Sequence, residues 1–592
     1  MKSINNIIKL QWRKLSHLII TFSLIFVVLC LSSCSLNSSA NNESRLIQAI
    51  LSDPKTFNAV LSQESPNIFG LTYEGLVTEN PLTGEIEPAL AQSWTISEDK
   101  LTIIFTLKND LKWSDAKPLT ADDVVFSYNQ LYLNEEIPSN ARDSLRIGKN
   151  RAFPIVEKID NLRVKFIIPE PFAPFLESTG LSILPKHILE DKVTQKGADG
   201  KPIFLSFWGV DTPPDQLVVN GAYKLKSYAT SQRIIFTKNP YYWQKDENKN
   251  PLPYIDEVVW EIVESTDTSV LQFRSGSLDS IGVTPEYFSL LKREENRGNF
   301  SIFNGGAAYG TTFMSFNLNQ GSRDGKPLVD QIKSKWFNNM NFRKAIAYSI
   351  NRESMINNIY RGLGEAQNSP ISVQSPFYDP TIIGYDYDPE LAKKLLLQEG
   401  FKYDQQGKLL DSENHEVRFT LLTNAGNKIR ESLGSQIKQD LSQIGITVDF
   451  TPIAFSVLVD KLTNSLDWEA HIIGFGGGNE PNGGANLWFP DGNLHLFNQK
   501  PQPGRSPIQG RVIADWEAEI GDLYIEGAKE LDLEKRKTIY NKTQQLAVEY
   551  LPLIYLVNPY SLAAVRNRIK GVEFSALGGA FWNIEKLKIK EN

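Results

Sequence analysis

The sequence predicts an α/β protein with at least two lobes, and three observations lead to that prediction. The chain has 592 residues, more than one hydrophobic core usually serves, so we expect the core to be divided. Apolar residues recur at helical spacing from Leu433 to Ile444, and Ile446, Val448 and Phe450 then alternate as in a strand. A second helix is signalled upstream, and helices mixed with strands are typical of lobes built around central sheets.

The first 33 residues have the pattern of a signal segment for export. Basic side chains come first, and the run from Leu18 to Leu31 is apolar apart from Thr21 and Ser23. That run is shorter than the roughly 20 residues with which a helix crosses a bilayer. Small residues rather than charged ones follow it, so we expect cleavage after export.

Cleavage is expected directly before Cys34, because Leu31-Ser32-Ser33-Cys34 resembles the lipobox of bacterial lipoproteins. In that motif the cysteine sulfur is acylated, which makes Cys34 the expected lipidation site and the first mature residue. Several acyl chains hold a protein on a bilayer, since each buried methylene contributes about 0.8 kcal/mol. Residues 34–45 are mostly small and polar and form the expected lipidated tether. The alternatives are an uncleaved anchor and an ordinary secretory signal, and either one still exports the protein.

Cysteine usage and charge argue against several classes of protein. Cys30 and Cys34 are the only cysteines, and both lie in the targeting region. The mature chain is therefore expected to have no disulfide, no thiolate nucleophile and no cysteine-ligated metal. The net charge is −7 and becomes more negative once the basic leader is removed. No basic patch stands out, so nucleic acid is not an expected partner.

The elements that follow the tether mix strand and helix. Residues from Leu101 to Leu107 alternate between apolar and slightly more polar side chains, which predicts a strand. Thr120, with Asp123 three residues later, has the form of a capping box, which predicts the start of a short helix.

A helix upstream of Leu433 is bounded by recognisable capping residues. Asp388 is the expected N-cap, Pro389 fits the first helical position, and Gly400 fits the end. No repeat of 20 to 50 residues is visible, so a solenoid is not expected.

Short motifs spread over nearly the whole mature chain carry a family resemblance. In chain order they are Tyr73-Glu74-Gly75-Leu76, Pro88-Ala89-Leu90-Ala91, Leu111-Lys112-Trp113-Ser114-Asp115, Gly221-Ala222-Tyr223, Asn239-Pro240-Tyr241-Tyr242-Trp243 and Phe342-Arg343-Lys344-Ala345. Each motif is weak alone. The ordered series resembles the family 5 extracellular solute-binding proteins, which serve ABC importers of oligopeptides, dipeptides and nickel.

The resemblance implies a two-lobed periplasmic-binding-protein fold with an extra subdomain in lobe one and a ligand chamber between the lobes. The chain is expected to cross between lobes near Phe313–Asn317 and again near Leu556–Pro559, and both crossings would serve as hinges. Closing such a hinge on a ligand creates a state that a permease can distinguish from the empty one. The expected divisions are residues 46–312 for lobe one with its inserted subdomain, 313–558 for lobe two and 559–592 for the return to lobe one.

The resemblance also implies where a ligand binds, and here the sequence departs from its relatives. Peptide-binding members hold their ligands extended, by main-chain hydrogen bonds. The matching segment is Gly474 to Pro481, in which Phe475 falls on a position often held by Trp. The Asp with which relatives grip a ligand ammonium has no counterpart, because glycine occupies that part of the motif. A second contacting segment in relatives corresponds to residues 61–64.

Four explanations of this departure remain open. Glu480 could supply the missing carboxylate from a shifted loop. The ligand could have a blocked or absent amine. The glycines could let a bulkier ligand approach the backbone, or they could form only a flexible loop. The expected ligand-binding residues are Leu61, Ser62, Gln63, Glu64, Gly474, Phe475, Gly476, Gly477, Gly478 and Glu480, and Tyr309 and Phe377 are candidate chamber walls from aromatic character alone.

These expectations together describe a bacterial transport protein. It is expected to be the lipid-anchored substrate-binding component of an ABC importer, a monomer that captures peptides by hinge closure and delivers them to a permease and, through it, to ATPase subunits. We expect it to need no cofactor and to perform no bond chemistry. Its expected location is the periplasm or the outer face of the plasma membrane.

There are three alternatives, the first within the same family and the other two from different classes. A nickel or metal-chelate carrier would need ligands, but the mature histidines His187, His415, His471 and His495 are widely scattered in sequence. An exported peptide hydrolase would need a catalytic motif, and neither Gly-x-Ser-x-Gly nor His-Glu-x-x-His is present. A sensory protein that reports its ligand would have the same sequence features as an importer component.

Overall fold

A computed structural model describes residues 44–62, 68–502 and 505–590. The expected signal segment, the lipidation site Cys34 and the candidate ligand residues Gln63 and Glu64 lie outside these ranges. By residue contacts the chain divides into Met1–Arg45 and Leu46–Asn592, and the description below concerns the second unit. Among the described residues, no helix has both the length and the apolar character of a membrane span.

The largest sheet has eight strands and draws on both ends of the described chain. Its first strand pairs in parallel with a short strand at Ser280, through Gln48. A long strand near the C-terminus joins the sheet beside it, so residues far apart in sequence share one core. In spatial order the strands are Phe300–Ala307, Val557–Arg566, Ser280–Gly282, Arg45–Ile50, Glu257–Ile262, Arg233–Lys238 and Tyr223–Ala229, with Gly364–Ala366 paired to Val557–Arg566.

A four-stranded antiparallel sheet covers the segment in which the sequence predicts a strand and a capped helix. Its strands, in spatial order, are Ala91–Ile96, Thr102–Leu107, Arg163–Ile167 and Ile155–Lys158. The predicted strand is confirmed, and it buries Phe105 and Leu107 completely. The capping box is confirmed too, since the Thr120 amide donates to Asp123 Oδ2 at 2.9 Å at the start of the helix Ala121–Phe126.

A five-stranded sheet lies in the middle of the chain. In spatial order its strands are Thr447–Ile453, Arg418–Asn424, Ala470–Phe475, Thr311–Phe316 and Leu553–Tyr555. The first two are parallel, and the helix Lys428–Ser442 connects them, as a parallel crossover requires. The predicted helix-to-strand unit is therefore confirmed, with Gly445 at φ +77° in the turn.

The remaining elements surround these sheets. The second predicted helix is confirmed as Pro389–Gln398: Asp388 Oδ1 accepts from the Leu391 amide at 2.8 Å, and Gly400 follows at φ +83°. Two-stranded hairpins join Val77–Glu79 to Ile86–Pro88, Ser322–Arg323 to Lys326–Pro327, Lys402–Tyr403 to Leu409–Leu410, and Ile569–Lys570 to Lys588–Ile589. The other α-helices are Phe69–Thr72, Phe175–Ser178, Lys186–Thr194, Thr266–Ser275, Pro285–Glu294, Gln331–Asn338, Met340–Ser349, Arg352–Asn358, Phe455–Asp460, Ala485–Trp488, Asp515–Lys529 and Leu533–Tyr550.

The chain passes from the eight-stranded to the five-stranded sheet between Ala307 and Thr311, and it enters the long strand Val557–Arg566 after Tyr555. Between these two passages, Gly364–Ala366 also pairs with the start of that long strand. The buried apolar residues follow the same division, because one large cluster spans Phe313 to Val557 and another gathers side chains mainly from Leu46 to Trp260. The domain boundaries given above stay a prediction.

Candidate functional site

The segment with the family's ligand-binding motif begins as a strand of the five-stranded sheet. Ala470–Phe475 pairs in an antiparallel register with Thr311–Phe316, ending with Phe475 opposite Thr311. The Phe475 ring lies 5.5 Å from the Phe313 ring and is half-buried. Phe475 therefore packs on the buried apolar residues of this sheet at the end of its strand, directly before the glycines.

The three glycines that follow are exposed but not equivalent. A Cβ on Gly477 would lie 2.0 Å from the Tyr309 carbonyl oxygen, so the backbone is packed tightly against its neighbour there. A Cβ on Gly476 or Gly478 would meet nothing within 4 Å. Only Gly477 is required by packing within the chain, and the open space beside the other two leaves main-chain groups accessible.

Glu480, one candidate for the missing carboxylate, is already paired. Arg536 donates to both of its carboxylate oxygens, at 2.7 and 2.9 Å, and the Asn482 amide donates to it at 3.1 Å. The guanidinium is held in place by the Gly527 carbonyl at 2.8 Å and by the face of Phe377 at 4.8 Å. Because both charged side chains are nearly buried, the charge of Glu480 is neutralised within the protein.

A cavity of about 920 Å³ opens beside this pair, within the range of ligand sites in proteins. One wall comes from the hairpin at Val77–Glu79 and from residues 170–181, and the other comes from residues 480–491 and the helix Asp515–Lys529. Among the predicted ligand-binding residues that the structure describes, Glu480 alone lines it.

Polar contacts bridge the two walls of this cavity. The Asn479 side-chain amide donates to Glu79 Oε1 at 2.7 Å, and the Ala173 amide donates to the Ala528 carbonyl at 2.7 Å. An ion pair of 3.0 Å joins Lys529 to Glu170. Hydrogen bonds and ion pairs of this kind can be broken and remade, unlike a continuous hydrophobic core.

Glu177 is a cavity residue that no sequence motif singles out. It lies on the four-residue helix Phe175–Ser178, lines the cavity and is accessible to solvent. Within the described ranges no side chain or amide donates a hydrogen bond to its carboxylate, and no cation pairs with it. The surrounding protein, aided by the charges of Glu480 and Glu79 and opposed by Arg536, raises the pKa of Glu177 to about 8.

The basic residues of the cavity, by contrast, have acidic partners. Arg146 and Arg151 approach Asp143 at 3.1 and 3.5 Å, and Lys149 lies 4.0 Å from Asp522. The carboxyl groups of Glu177 and Asp491 also line the cavity, and in the described part of the chain neither one has a hydrogen-bonded or ion-paired partner.

A second cavity of about 890 Å³ borders the first at Val77–Glu79 and Gly180. Glu74 lines it and accepts hydrogen bonds of 2.6 Å from the Tyr242 hydroxyl and the Trp243 indole. Burial raises the pKa of Glu74. Two of the sequence motifs that carry the family resemblance thus meet at one side chain.

The remaining predicted site residues lie elsewhere. The amides of Leu61 and Ser62 donate to the Asn58 carbonyl at 3.3 and 3.1 Å, and neither residue lines either cavity. Tyr309 and Phe377 do not line them either. The assignment of these residues to ligand binding stays a prediction.

The histidines are dispersed in the fold as well as in sequence. His495 is buried between the Leu487 carbonyl at 2.8 Å and Glu517 at 2.9 Å, and His471 is buried under Trp468. Across residues 44–62, 68–502 and 505–590, no three His, Cys, Asp or Glu side chains form a group that could hold a metal ion.

Comparison with known families decides the identity of the fold. Residues 85–494 match the model of the bacterial extracellular solute-binding proteins, family 5. The chain belongs to this family. The predicted two-lobed periplasmic-binding-protein fold, with its ligand chamber between the lobes, is confirmed.

Three relatives illustrate the range of this family. The probable ABC transporter-binding protein of Deinococcus radiodurans is 31% identical over 88% of each chain. The structure of the oligopeptide-binding protein AppA from Bacillus subtilis with a nonapeptide covers 92% of this chain and 99% of its own, at 23% identity and a TM-score of 0.71. NikZ from Campylobacter jejuni with Ni(L-His) matches at 18% identity over 92% and 99%, with a TM-score of 0.71. These two structures show the fold, and they hold different ligands.

Proposed function

We propose that this protein is the lipid-anchored substrate-binding component of an ABC importer, and that it captures extracytoplasmic peptides. The observation that carries the proposal is the cavity of about 920 Å³. One wall comes from Val77–Glu79 and residues 170–181, the other comes from residues 480–491 and the helix Asp515–Lys529, and polar contacts bridge the two walls. Support also comes from relatives named as ABC transporter-binding and oligopeptide-binding proteins.

Capture would occur by hinge closure. The proposed hinges near Phe313–Asn317 and Leu556–Pro559, which divide the chain into residues 46–312, 313–558 and 559–592, are close in sequence to the passages between the sheets at Ala307–Thr311 and Tyr555–Val557. The polar bridges across the cavity would break on opening and form again on closure. A closed state with a ligand inside differs from the empty state, so a permease could recognise it and pass the peptide to the translocation path driven by ATPase subunits.

The ligand would be gripped largely through its main chain. Gly474 lies near the end of the strand Ala470–Phe475 and the exposed glycines Gly476–Gly478 follow it, and an extended peptide could form hydrogen bonds with the main chain of this segment. Phe475, Glu480 and the segment Leu61–Glu64 would border it. Binding of this kind tolerates many side chains and needs neither cofactor nor bond cleavage.

The anchor would be Cys34, acylated after removal of the first 33 residues, with residues 34–45 as the tether. A monomer attached in this way stays near the permease in the membrane while its lobes remain in the extracytoplasmic space.

Native mass spectrometry of protein purified from its own host tests the proposal, because a closed chamber retains its cargo. A bound mass that fragments as a peptide supports it. A bound metal chelate would move the function to the nickel branch of the family. Incubation with a defined peptide pool then separates binder from hydrolase, since a binder returns the peptides intact and a hydrolase returns fragments.

A further inference from the structure

We propose that the second cavity, of about 890 Å³, is a binding site for a neutral sugar. Its volume is that of a small-molecule site, and the residues that line it come from 48–89, 180, 222–282 and 561–586. The inference goes beyond the proposed function, because peptide capture in the first cavity does not use these residues apart from the shared border. Uncharged polar groups on a sheet face bind the sugar hydroxyls, and aromatic rings from the surrounding segments cover the C–H face of the sugar ring.

One face of the eight-stranded sheet forms part of the lining. Gln48 is in register with Ser280, and Gly282 is in register with Ala563, which lies two residues from Ser561. Side chains alternate between the two faces of a strand, so these five residues share one face, and all five line the cavity. The opposite face of the same strands is apolar, with Ile47, Ala49, Ile281, Leu562 and Ala564 in one cluster. Small and polar side chains on the first face therefore leave the space that the cavity occupies.

The polar side chains of this face are available to a ligand. Gln48, Ser280 and Ser561 are each half-buried, and within the described part of the chain no residue donates to or accepts from their side chains. A side-chain amide can donate twice and also accept, and a hydroxyl can both donate and accept. These three groups are uncharged, so they complement the hydroxyls of a neutral ligand.

The acidic residues of this cavity, in contrast, are already engaged. Each of the four has a partner: Tyr242 and Trp243 for Glu74, Asn479 for Glu79, Asn80 for Glu87, and Lys586, at 3.9 Å, for Glu585. Burial raises the pKa of Glu74 and of Glu585, which lowers the charge that a cationic ligand could compensate. Lys586 is the one basic side chain among the described lining residues, so an anionic ligand would meet more negative charge than positive. A neutral ligand fits this balance.

Aromatic rings from two further segments complete the lining. Trp243, Phe574, Phe581 and Trp582 are half-buried and line the cavity. The indole N–H of Trp582 donates to a main-chain carbonyl at 2.6 Å, and that of Trp243 donates to Glu74 at 2.6 Å. The rings therefore contribute mainly apolar surface. A sugar ring has an apolar C–H face and hydroxyls at its rim, and this lining is complementary to both.

The test measures binding of a defined panel to the full-length protein by saturation-transfer NMR and tryptophan fluorescence. The neutral sugars are glucose, galactose, N-acetylglucosamine, maltose and cellobiose. Glucuronic acid and glucose 6-phosphate are the charged counterparts, and indole represents an apolar aromatic ligand. At least one neutral sugar should bind saturably, with an affinity about tenfold or more above that of both charged sugars and of indole.

Gly282→Val tests the location of the site. A Cβ at position 282 would meet nothing within 4 Å, so a larger side chain fills cavity space rather than displacing protein atoms, and a β-branched residue suits a strand. This variant should lose sugar binding and keep the thermal unfolding midpoint of the wild type.

Gln48→Leu and Ser280→Ala remove the proposed hydrogen bonds individually. Each should weaken the affinity for the bound sugar about fivefold. Ser227→Ala is the matched control, since it removes a hydroxyl from an exposed position of the same sheet, outside the cavity. This control should bind the sugar as the wild type does.

The outcomes bear on this site alone. The absence of saturable binding for every neutral sugar, or equal affinity for indole, overturns the assigned class of ligand. Unchanged sugar affinity in both Gly282→Val and Gln48→Leu overturns the location. Peptide capture is tested by native mass spectrometry and stands or falls independently of either result.

Discussion

The side-chain amide of Asn479 donates a 2.7 Å hydrogen bond to Glu79 Oε1, joining two residues 400 positions apart in sequence. Asn479 follows the glycine segment of the five-stranded sheet, whereas Glu79 ends the hairpin strand Val77–Glu79. The bond therefore spans the cavity that we propose as the peptide chamber, and it should contribute to the closed arrangement of the two walls.

Asn479→Ala should favour an open arrangement and weaken peptide binding. A hydrogen bond to a charged acceptor contributes on the order of 1–2 kcal/mol, so the dissociation constant of a retained peptide should rise about fivefold or more. Small-angle X-ray scattering should show a larger radius of gyration with peptide present. Asn464→Ala removes an exposed hydrogen bond to Asp460 and should change neither quantity, and identical scattering for both variants would contradict the role of Asn479.

Arg536→Met should destabilise the protein because it leaves the charge of Glu480 nearly buried and without its partner. Breaking such a pair costs about 3–5 kcal/mol, measurable by urea denaturation. The double variant Arg536→Met/Glu480→Gln should recover much of that loss. Lys537→Met is the control on the same helix, since its pair with Glu534 is exposed and should contribute under about 0.5 kcal/mol. Equal stability of the two single variants would show that the pair is not buried in solution.

Local signals in the sequence were sufficient to predict where helices begin and end. Asp388 caps its helix through the Leu391 amide, and Gly400 adopts the positive φ that glycine tolerates. Each of these outcomes depends on residues within a few positions of one another, so the chain pattern contains the necessary information. The two-lobed fold was predictable as well, because ordered family motifs extend over most of the chain.

The state of the cavity residues was not predictable in the same way. The family motif directed attention to Glu480, but its partner Arg536 is on a distant helix that no motif connects to it. Glu177 is surrounded by Glu79 and Glu480 only after folding. Whether a carboxylate is paired depends on which side chains come into contact in the folded protein. These contacts between distant residues cannot be predicted from a single sequence.

Ligand-free protein should become less stable as pH rises from about 5 to 8.5, and Glu177 should account for part of that loss. The folded-state pKa of about 8 lies above the ordinary 4.5, so the folded protein holds the proton across this window while the unfolded chain has lost it. The unfolding free energy then falls with increasing pH. Because water in the cavity screens the group, we expect a contribution on the order of 1 kcal/mol. Urea denaturation should show a smaller fall for Glu177→Gln, and an unchanged fall would mean that Glu177 titrates normally.

Gly477→Ala and Gly478→Ala should separate packing from ligand access within the glycine segment. A Cβ at position 477 would lie 2.0 Å from the Tyr309 carbonyl oxygen, so the backbone must shift, at a cost of about 1–3 kcal/mol. A Cβ at position 478 would meet nothing within 4 Å, so thermal unfolding of that variant should match the wild type. If an extended peptide binds along this segment, its backbone occupies the space beside Gly478, and Gly478→Ala should then weaken binding of a retained peptide without loss of stability. Wild-type affinity in a stable Gly478→Ala variant would show that the ligand does not bind along the glycine segment.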